Sequence, residues 1–263
     1  MRTGKNRGRG PHIPGLTLLC RCGKGRSSEV WLGETPAGQR YAVRLVSKEK
    51  NQALADMERK SVSLYRTAER HAHLLNVLLA DETPEYFYCV MEAADNIRPG
   101  SERYEPDTLA RRLDRRSDDR RTALNHLEAI AAGLEQLHGQ HIVHTDLQPE
   151  NILFVHGVLK IADPGSVSQS GSVPRGGTAG FRPPWNASGT ERDIYALGKL
   201  IYMLWTHEDP DHFPDIPRCC DLKGFLPLNE ISLCCCEREK RIRFHQVAEV
   251  RRELREVRNL LDQ

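Results

Sequence analysis

The hydrophobic pattern of the chain changes once, from the alternation that is typical of strands to the wider spacing of helices. Before Glu92, short strand-like runs with turn residues between them surround one helix-compatible stretch at 51–68. After residue 106 helical patterns dominate, and the stretch 191–206 is apolar on nearly every side, which indicates a fully buried helix. The layout is therefore a small strand-rich lobe with one helix followed by a larger, mainly helical lobe, which is an α+β pattern.

These patterns also predict where the parts of the fold begin and end. Residues 1–14 are Gly-rich and basic and are expected to form a disordered tail, residues 15–94 the sheet lobe, and residues 95–263 the helical lobe. The polar stretch 95–106, which contains Pro and Gly, is predicted to be a linker. The expected strands of the sheet lobe are Leu16–Cys22, Glu29–Gly33, Gln39–Val46, Asn76–Asp81 and Tyr86–Glu92.

Composition and charge restrict the classes of partner and compartment. The 263 residues carry a net charge of +2, which gives no case for nucleic-acid binding, and a nucleic-acid or anionic-lipid role of the basic tail is the less favoured alternative. No apolar run approaches the length that spans a bilayer, and no signal-peptide segment is visible, so a cytoplasmic location is expected. The eight cysteines lack the spacings of zinc sites, and packing as small apolar residues is the preferred interpretation.

Three short motifs occur in a fixed order. Residues 23–30, Gly-Lys-Gly-Arg-Ser-Ser-Glu-Val, form a turn between two predicted strands, where backbone N–H groups can approach phosphate oxygens, although such a turn alone is often a plain hairpin. Residues 144–151, His-Thr-Asp-Leu-Gln-Pro-Glu-Asn, follow a stretch at 124–137 whose apolar residues recur at helical spacing and which Gly139 ends. Asp-Pro-Gly at 163–165 follows a predicted strand, and alone it would be read as a turn. Coincidence is a poor explanation for all three at these separations.

The motifs resemble those of the eukaryotic-like protein kinases, and the resemblance extends from about Gly15 to Phe244. It is closest to the bacterial serine/threonine kinases, through the stretches 86–92, 151–157 and 193–198. The resemblance implies a two-lobed α+β fold, with a small antiparallel β-sheet and one helix in the first lobe and mainly helices in the larger second lobe. It also implies that ATP and Mg²⁺ bind in the cleft between the lobes.

The resemblance assigns roles to individual residues. Asp146 would accept the proton of the substrate hydroxyl, and Asn151 and Asp163 would bind Mg²⁺. Glu58 would pair with Arg44 of the third strand, although a solvated helix face is the alternative for Glu58. Gln148 stands at a further catalytic position. The residues expected to bind the nucleotide come from the first turn, the strands and the hinge: Gly23, Lys24, Gly25, Val30, Ala42, Arg44, Met91, Glu92, Ala94 and Leu153.

Other matched positions concern the frame of the site. Met91 would be the gatekeeper, and residues 92–94 would form the hinge between the lobes. Asp193 would be the buried aspartate that anchors the catalytic loop, residues 144–151. Thr178 would be the threonine that is typical of serine/threonine kinases.

Two matched positions that address the phosphates carry residues that differ from the family. Arg44 replaces the phosphate-positioning lysine, and its planar fork cannot act as a compact point charge. Because phosphoryl transfer depends on placement within about an ångström, this change is expected to cost on the order of 10²-fold or more. Gln148 replaces the catalytic-loop lysine, and loss of such a preorganised donor typically costs roughly 10²–10³-fold.

Three further departures concern the activation segment, which the resemblance places between the Asp-Pro-Gly motif and Trp185. Thr145 replaces the arginine that reads phosphorylation of this segment, so that mode of switching is expected to be absent. Pro164 replaces the phenylalanine that packs under the first helix. Trp185 replaces a glutamate whose partner would be Arg241, which is left to find another acceptor. The five changes together indicate a degraded enzyme.

Three functions remain open. A pseudokinase, which acts through its surface with or without bound nucleotide, is slightly preferred over an active but slow serine/threonine kinase that keeps Asp146, Asn151 and Asp163. A small-molecule phosphotransferase of the aminoglycoside type is disfavoured by Asp193 and by the segment motif 177–181. A protein substrate or signalling partner is expected, and the sequence does not identify it.

Lys24 is a candidate replacement for the missing lysine. The with-no-lysine kinases take their phosphate-binding lysine from the glycine-rich loop, where Lys24 lies. A solvated loop lysine is the alternative, and it is the preferred interpretation.

Overall fold

The chain folds into two lobes, which confirms the predicted α+β architecture. The residues that the computed structural model describes are 11–25, 27–116, 119–172, 177–187, 189–217 and 222–262. The first lobe is built on an antiparallel sheet of five strands in the order β1-β2-β3-β5-β4. Its strands are β1 (Thr17–Lys24), β2 (Ser28–Glu34), β3 (Arg40–Ser47), β4 (Val77–Glu82) and β5 (Tyr86–Glu92).

Strand pairing places predicted nucleotide-binding residues on one face of this sheet. Val30 lies opposite Arg44 in the β2–β3 pair, and Ala42 lies opposite Met91 in the β3–β5 pair. Side chains of a strand alternate between the two faces, so Ala42 and Arg44 share a face with their cross-strand partners. This face is the one that looks toward the second lobe.

The sheet lobe begins earlier than predicted. Ile13 is 1% exposed and packs with Val43, Leu45, Tyr88 and Val90 on the opposite face of the sheet. Because burial of such a side chain stabilises the fold, residue 13 belongs to the packed lobe and not to the tail predicted at 1–14. The basic residues of that predicted tail lie outside the described residues.

The helix of the first lobe, α1 (Lys48–Tyr65), packs on the cleft face of the sheet. Its backbone is irregular at Asn51, whose side chain accepts a hydrogen bond from the Leu54 N–H at 2.9 Å, so the regular helix begins where the sequence predicted. It ends three residues before the predicted end at Ala68. Its buried residues recur every three or four positions: Ala55, Glu58, Val62 and Tyr65. Because Glu58 is one of them, the alternative of a solvated helix face for Glu58 is excluded.

The second lobe is mainly helical, as predicted. Its helices are α2 (Leu109–Arg115), α3 (Arg120–Gly139), α4 (Thr190–Thr206), α5 (Leu222–Cys236) and α6 (Val247–Leu261). Its strands pair as β6 (Ile142–Val143) with β9 (Ser168–Gln169) and β7 (Ile152–Val155) with β8 (Val158–Ile161). Within the described ranges, no helix has the length and apolar character needed to cross a membrane.

Helices α3 and α4 form the centre of the second lobe. On α3, Leu127 and Leu134 are completely buried, and α6 covers this helix with a stripe of its own apolar residues. Almost every residue of α4 is buried, which confirms the prediction for 191–206. The buried set includes the charged residues Arg192 and Asp193, and buried charges require partners.

The stretch 95–106 is not the linker that the sequence predicted but part of a hydrogen-bonded hairpin. The Asp107 N–H donates to the Asp95 carbonyl at 2.8 Å, and the Glu105 N–H donates to the Asn96 side chain at 3.1 Å. Asn side chains that bond to nearby backbone stabilise turns. Polar residues occur in both linkers and turns, so composition alone did not separate the two. We call residues 95–107 the hinge hairpin.

Gly133 of α3 is expected to tolerate no larger side chain. A Cβ there would lie 2.9 Å from the His73 carbonyl oxygen and 2.9 Å from Ile161 Cδ1. Gly133→Ala should therefore destabilise the fold by about 1–3 kcal/mol, because overpacking forces the backbone to shift. Gly139 ends the same helix with nothing within 4 Å of its Cβ position, so Gly139→Ala should be neutral or slightly stabilising. Urea denaturation measures both, and equal stabilities would contradict the expectation.

Candidate active site

A cleft of about 390 Å³ lies between the lobes, and its walls are mainly apolar. Such a concave, largely apolar surface with a few polar groups is typical of small-molecule sites. The predicted residues that line it are Gly23, Val30, Ala42, Arg44, Met91, Ala94, Asn151, Leu153 and Asp163. Residues far apart in the chain are thus brought together as the motifs predicted.

Arg44 makes the ion pair that was predicted between the third strand and the first helix. Its Nε and Nη2 each donate to a carboxylate oxygen of Glu58 at 2.7 Å, which is a bidentate geometry. Its Nη1 lies 3.7 Å from Asp163 Oδ1. Burial opposes the charge on Arg44, but Asp163 and Glu58 outweigh it and raise the pKa of Arg44 above its ordinary value. Arg44 therefore stays charged and links α1 to Asp163.

Asp163 presents a buried carboxylate oxygen to the cleft. Its Oδ2 accepts a hydrogen bond from Ser166 Oγ, whereas Oδ1 is buried with no hydrogen-bond partner among the described residues. Burial alone would raise the pKa of Asp163, but the charge of Arg44 and the Ser166 hydrogen bond lower it below its ordinary value. An ionised carboxylate with an oxygen that lacks a hydrogen bond suits a hard cation such as Mg²⁺.

Asn151 adds a second oxygen that suits such a cation. Its Nδ2 donates to the Asp146 carbonyl at 2.8 Å and to Asp146 Oδ2 at 3.2 Å, so the other amide atom, Oδ1, is not used in these bonds. Within the described part of the chain, no group of three or more His, Cys, Asp or Glu residues could hold a metal ion. Mg²⁺ is usually held by one or two protein oxygens together with phosphate oxygens, so Asn151 and Asp163 fit a cation that binds with ATP.

The catalytic loop is held by the carboxylate of Asp193, which is completely buried on α4. Asp193 accepts backbone hydrogen bonds from His144 at 2.7 Å and from Thr145 at 2.8 Å, and His138 Nε2 lies 2.8 Å from the same carboxylate. Burial would raise the pKa of Asp193, but the contact with His138 and the backbone donors keep it below its ordinary value. The structure thus brings Asp193 to the loop that it was predicted to anchor.

Asp146 is surrounded by hydrogen-bond donors. Its Oδ1 accepts from the Thr178 N–H at 3.0 Å and from Thr178 Oγ1 at 2.9 Å. Its Oδ2 accepts from Gln148 Nε2 at 3.0 Å and from Asn151 Nδ2 at 3.2 Å. A substrate hydroxyl must displace one of these donors before Asp146 can accept its proton.

Pro164 does not separate the activation segment from α1. Pro164 is buried, and the next residue, Gly165, packs directly on Glu58. A Cβ on Gly165 would lie 2.7 Å from Glu58 Oε2, so only glycine fits beside the Arg44–Glu58 pair without displacement. The segment and the helix therefore remain in contact in spite of the altered motif.

Arg243 lies beside Trp185, and the assignment of Arg241 to that place was wrong. Arg241 is exposed, whereas Arg243 is 3% exposed with its guanidinium 5.9 Å from the Trp185 ring centroid. Arg243 Nη2 donates to Glu191 Oε1 at 2.8 Å, so the buried arginine has found a carboxylate on the first turn of α4. Both candidates are arginines two positions apart, and sequence spacing did not show which of them is buried.

Some predicted residues do not contribute side chains to the cleft wall. Lys24 and Gly25 are exposed at the end of β1, which favours the solvated alternative for Lys24. The Glu92 carboxylate accepts from the Asn76 N–H at 3.0 Å and lies 3.0 Å from Lys160 Nζ. The Glu92 side chain is therefore occupied by contacts outside the cleft.

Other residues of the cleft were missed by sequence reasoning. Tyr104 of the hinge hairpin and Arg111 of α2 line it together with Cys22. The Tyr104 hydroxyl donates to the Ala94 carbonyl at 2.8 Å and ties the hairpin to the hinge. Burial raises the pKa of Cys22 to about 12, so this residue is a neutral thiol. A single aromatic residue within the polar stretch 95–106 was the available signal for Tyr104.

Two lobes thus enclose a largely apolar cleft that carries an ionised carboxylate and an amide side chain, Asp163 and Asn151. A profile of the protein kinase domain matches residues 17–217. The chain therefore belongs to the protein kinase family.

Its curated relatives are protein kinases of eukaryotes and bacteria. Myosin light chain kinase A of Dictyostelium discoideum is 28% identical over 211 residues, which cover 74% of this chain and 68% of that protein. Aurora/IPL1-related protein kinase 2 of Caenorhabditis elegans is 27% identical over 207 residues, 73% of this chain and 64% of that protein. Serine/threonine-protein kinase pkn2 of Myxococcus xanthus is 28% identical over 222 residues, 76% of this chain and 25% of that protein. The predicted bacterial type is therefore not distinguished by these relatives.

The Arg44–Glu58 pair is expected to stabilise the fold far more than an exposed pair of the same sheet. Glu58→Gln leaves a largely buried guanidinium without its main partner, and we expect a loss of about 3 kcal/mol in the free energy of unfolding. Glu34→Gln is the matched control, because the Arg40–Glu34 pair has side-chain exposures of 60% and 32%. Glu34→Gln should lower the free energy of unfolding by less than about 1 kcal/mol. Denaturant titration compares the two, and similar losses would contradict the expectation.

Proposed function

We propose that this kinase domain binds Mg·ATP in the cleft and is a pseudokinase or a very weak serine/threonine kinase that acts in signalling. The observation that carries the proposal is the state of Arg44, which is charged, pairs with Glu58 through two nitrogens and lies 3.7 Å from Asp163 through the third. A cation in this position keeps the cleft assembled. Glu58 also occupies two of the five N–H donors of this guanidinium, and Nη1 lies beside Asp163, so few of its donors are left for a phosphate.

Nucleotide binding is supported by the composition of the cleft. Val30 and Ala42 on the sheet side and Leu153 on the other side form an apolar slot that suits a flat base. Asn151 and Asp163 supply the oxygens that suit Mg²⁺. When bound, Mg·ATP would supply the phosphoryl group and the charge that offsets the phosphates.

Weak phosphoryl transfer is supported by the residues at the two positions that would address the phosphates, Gln148 and Arg44. Gln148 replaces a lysine, and its amide nitrogen donates to Asp146 Oδ2 at 3.0 Å. An amide of this kind carries no charge to offset the phosphate in the transition state. Arg44 is turned toward two carboxylates, because Nε and Nη2 donate to Glu58 and Nη1 lies 3.7 Å from Asp163 Oδ1. The base and the metal ligands are therefore present, and the groups that position the phosphate are altered.

An active serine/threonine kinase is the second candidate, and one contact favours it. Thr178 donates to Asp146 through both its backbone N–H and its hydroxyl, at 3.0 and 2.9 Å. This contact holds the activation segment on the catalytic loop, where a protein hydroxyl would meet the base. The substrate of this second candidate would be a protein with an exposed serine or threonine.

A cytoplasmic location belongs to the same proposal. The cysteines among the described residues are free thiols, which agrees with a reducing compartment. Partner proteins would contact the surface of the domain, whichever of the two candidates holds.

Mg·ATP is expected to raise the melting temperature of the protein. Ligand at about 100 times its Kd adds roughly 2.7 kcal/mol of stability, and each kcal/mol raises Tm by about 2–4 °C at this chain length. Differential scanning fluorimetry with and without EDTA measures the shift and its Mg²⁺-dependent part. Asp163→Asn should lose that part, whereas Asp56→Asn, on the exposed face of α1, should keep it. No shift of the wild type at millimolar Mg·ATP would refute nucleotide binding.

Placement of the phosphate is expected to limit the reaction, and lysines at two positions should relieve the limit. Arg44→Lys with Gln148→Lys should raise autophosphorylation at least about tenfold, because compact cations replace a fork and an amide. Both cations address one phosphate group, so the single variants should be non-additive. Radiolabelled phosphate transfer gives the rates.

Asp146→Asn in the double-lysine background is the control for that experiment. It should remove the gain, because the substrate hydroxyl loses its proton acceptor. A double variant as inactive as wild type would favour a pseudokinase whose cleft is limited elsewhere. A wild type that turns over at about 1–100 s⁻¹ would show that Arg44 is a competent substitute for lysine.

A further inference from the structure

The catalytic loop lacks a cation where the activation segment meets it. Thr145 stands at the position of the missing arginine, and its hydroxyl donates to the Ser166 carbonyl at 2.7 Å. This bond holds the start of the segment. It does not reach the later part, residues 177–187, which includes Thr178 and its bonds to Asp146.

A different arginine lies at this later part. Arg192 is on the first turn of α4 and is 6% exposed. A Cβ built on Gly177 would lie 2.6 Å from Arg192 Nη2 and 3.4 Å from the Thr145 carbonyl oxygen. The guanidinium therefore lies against Gly177, at the point where the segment meets the catalytic loop.

The backbone at Gly177 is adapted to this contact. Gly177 has φ of +102°, a conformation that L side chains rarely adopt, and it has no Cβ to displace the guanidinium. The next residue is Thr178, whose N–H and hydroxyl both donate to Asp146 Oδ1. Arg192, Gly177, Thr178 and Asp146 therefore form a continuous series of contacts.

Two carboxylates and one further arginine act on the charge of Arg192. Burial lowers the pKa of Arg192, the charges of Asp193 and Asp146 act in the opposite sense, and Arg182 acts with burial. Arginine remains protonated in proteins, so a positive charge is present beside the segment. A buried guanidinium is strongly directional, because its planar fork fixes the direction of every N–H.

We propose that Arg192 is a positioning residue that docks the activation segment onto the catalytic loop and makes the docked state independent of phosphorylation. It supplies from α4 the cation that Thr145 does not supply from the loop. The proposal rests on the proposed function as far as the reaction is concerned, because the docked segment is where a protein substrate would bind. The docking itself is a property of the folded chain and can be measured without nucleotide.

Hydrogen–deuterium exchange of the intact chain tests the docking. Arg192→Met removes the charge and keeps most of the volume, and it should speed exchange of the segment around Thr178 by about tenfold or more, since the contact of the guanidinium with Gly177 is lost. Arg192→Lys keeps the charge without the fork and should give an intermediate rate. A role in filling space alone predicts the reverse order, because Met is apolar and suits a buried site better than Lys.

Arg243→Met is the matched control. Like Arg192, Arg243 is a buried arginine. It lies outside α4 and is held at the first turn of that helix by its bond to Glu191. Its loss should lower the stability of the chain but leave exchange around Thr178 unchanged. Equal acceleration in both variants would reduce Arg192 to a general stabiliser of α4 and would overturn the proposal.

Gly177→Ala tests the same contact if Arg192→Met fails to fold. The added Cβ would press on Arg192 Nη2 from the segment side, so exchange around Thr178 should again increase. Exchange at the wild-type rate in Arg192→Met or, if that variant does not fold, in Gly177→Ala would overturn the proposal. Phosphatase treatment of the wild type should change nothing, and faster exchange after treatment would overturn the independence from phosphorylation.

Melting curves with Mg·ATP on the same samples separate this inference from the proposed function. Arg192→Met should keep the nucleotide shift, because Arg192 does not line the nucleotide cleft. Faster exchange with no nucleotide shift in any sample would support the docking role and refute nucleotide binding. A normal nucleotide shift with unchanged exchange would support nucleotide binding and refute the docking role of Arg192.

Discussion

The buried carboxylate of Asp193 is the interaction on which the catalytic loop depends. It accepts hydrogen bonds from two consecutive backbone N–H groups, at His144 and Thr145, and it is completely buried. An unpaired charge at that depth would cost several kcal/mol, so the loop and the carboxylate stabilise each other. Thr145 is held at φ of +69°, which is uncommon for a β-branched residue and shows how firmly the loop is fixed.

The wall of the cleft on the side of the sheet and α1 depends on a different interaction, the ion pair between Arg44 and Glu58. The Arg44–Glu58 pair keeps α1 against the sheet, with two bonds of 2.7 Å. Gly165 fits beside Glu58 only because it lacks a Cβ. The departures at Arg44 and Pro164 have therefore not disassembled this wall. They leave the packing in place, and the arginine keeps the positive charge but presents it as a planar fork and not as a compact ammonium.

Local hydrophobic patterns and the order of the motifs were enough to predict the main parts of the fold and of the cleft. The two lobes, the buried α4 and the meeting of Val30, Ala42 and Leu153 in one cleft were all expected and are present. The hinge hairpin was taken for a linker because its turn bonds come from side chains such as Asn96 and its anchor from Tyr104. Which of several arginines is buried depends on contacts between distant segments, and spacing in the sequence does not report them.

The first turn of α4 shows why loss of motif residues has not meant loss of geometry. Three consecutive residues each hold a different segment: Glu191 binds Arg243, Arg192 lies against Gly177, and Asp193 holds the catalytic loop. Trp185 and Thr145 stand where the family carries charged residues, and in both places α4 supplies a charge of the required sign. A helix that is buried on nearly all sides is rigid enough to do this, because its side chains have few alternative positions. One helix thus holds the frame of the site, and the residues that would contact phosphate, Arg44 and Gln148, lie outside it, so a change at either residue leaves the contacts of α4 in place.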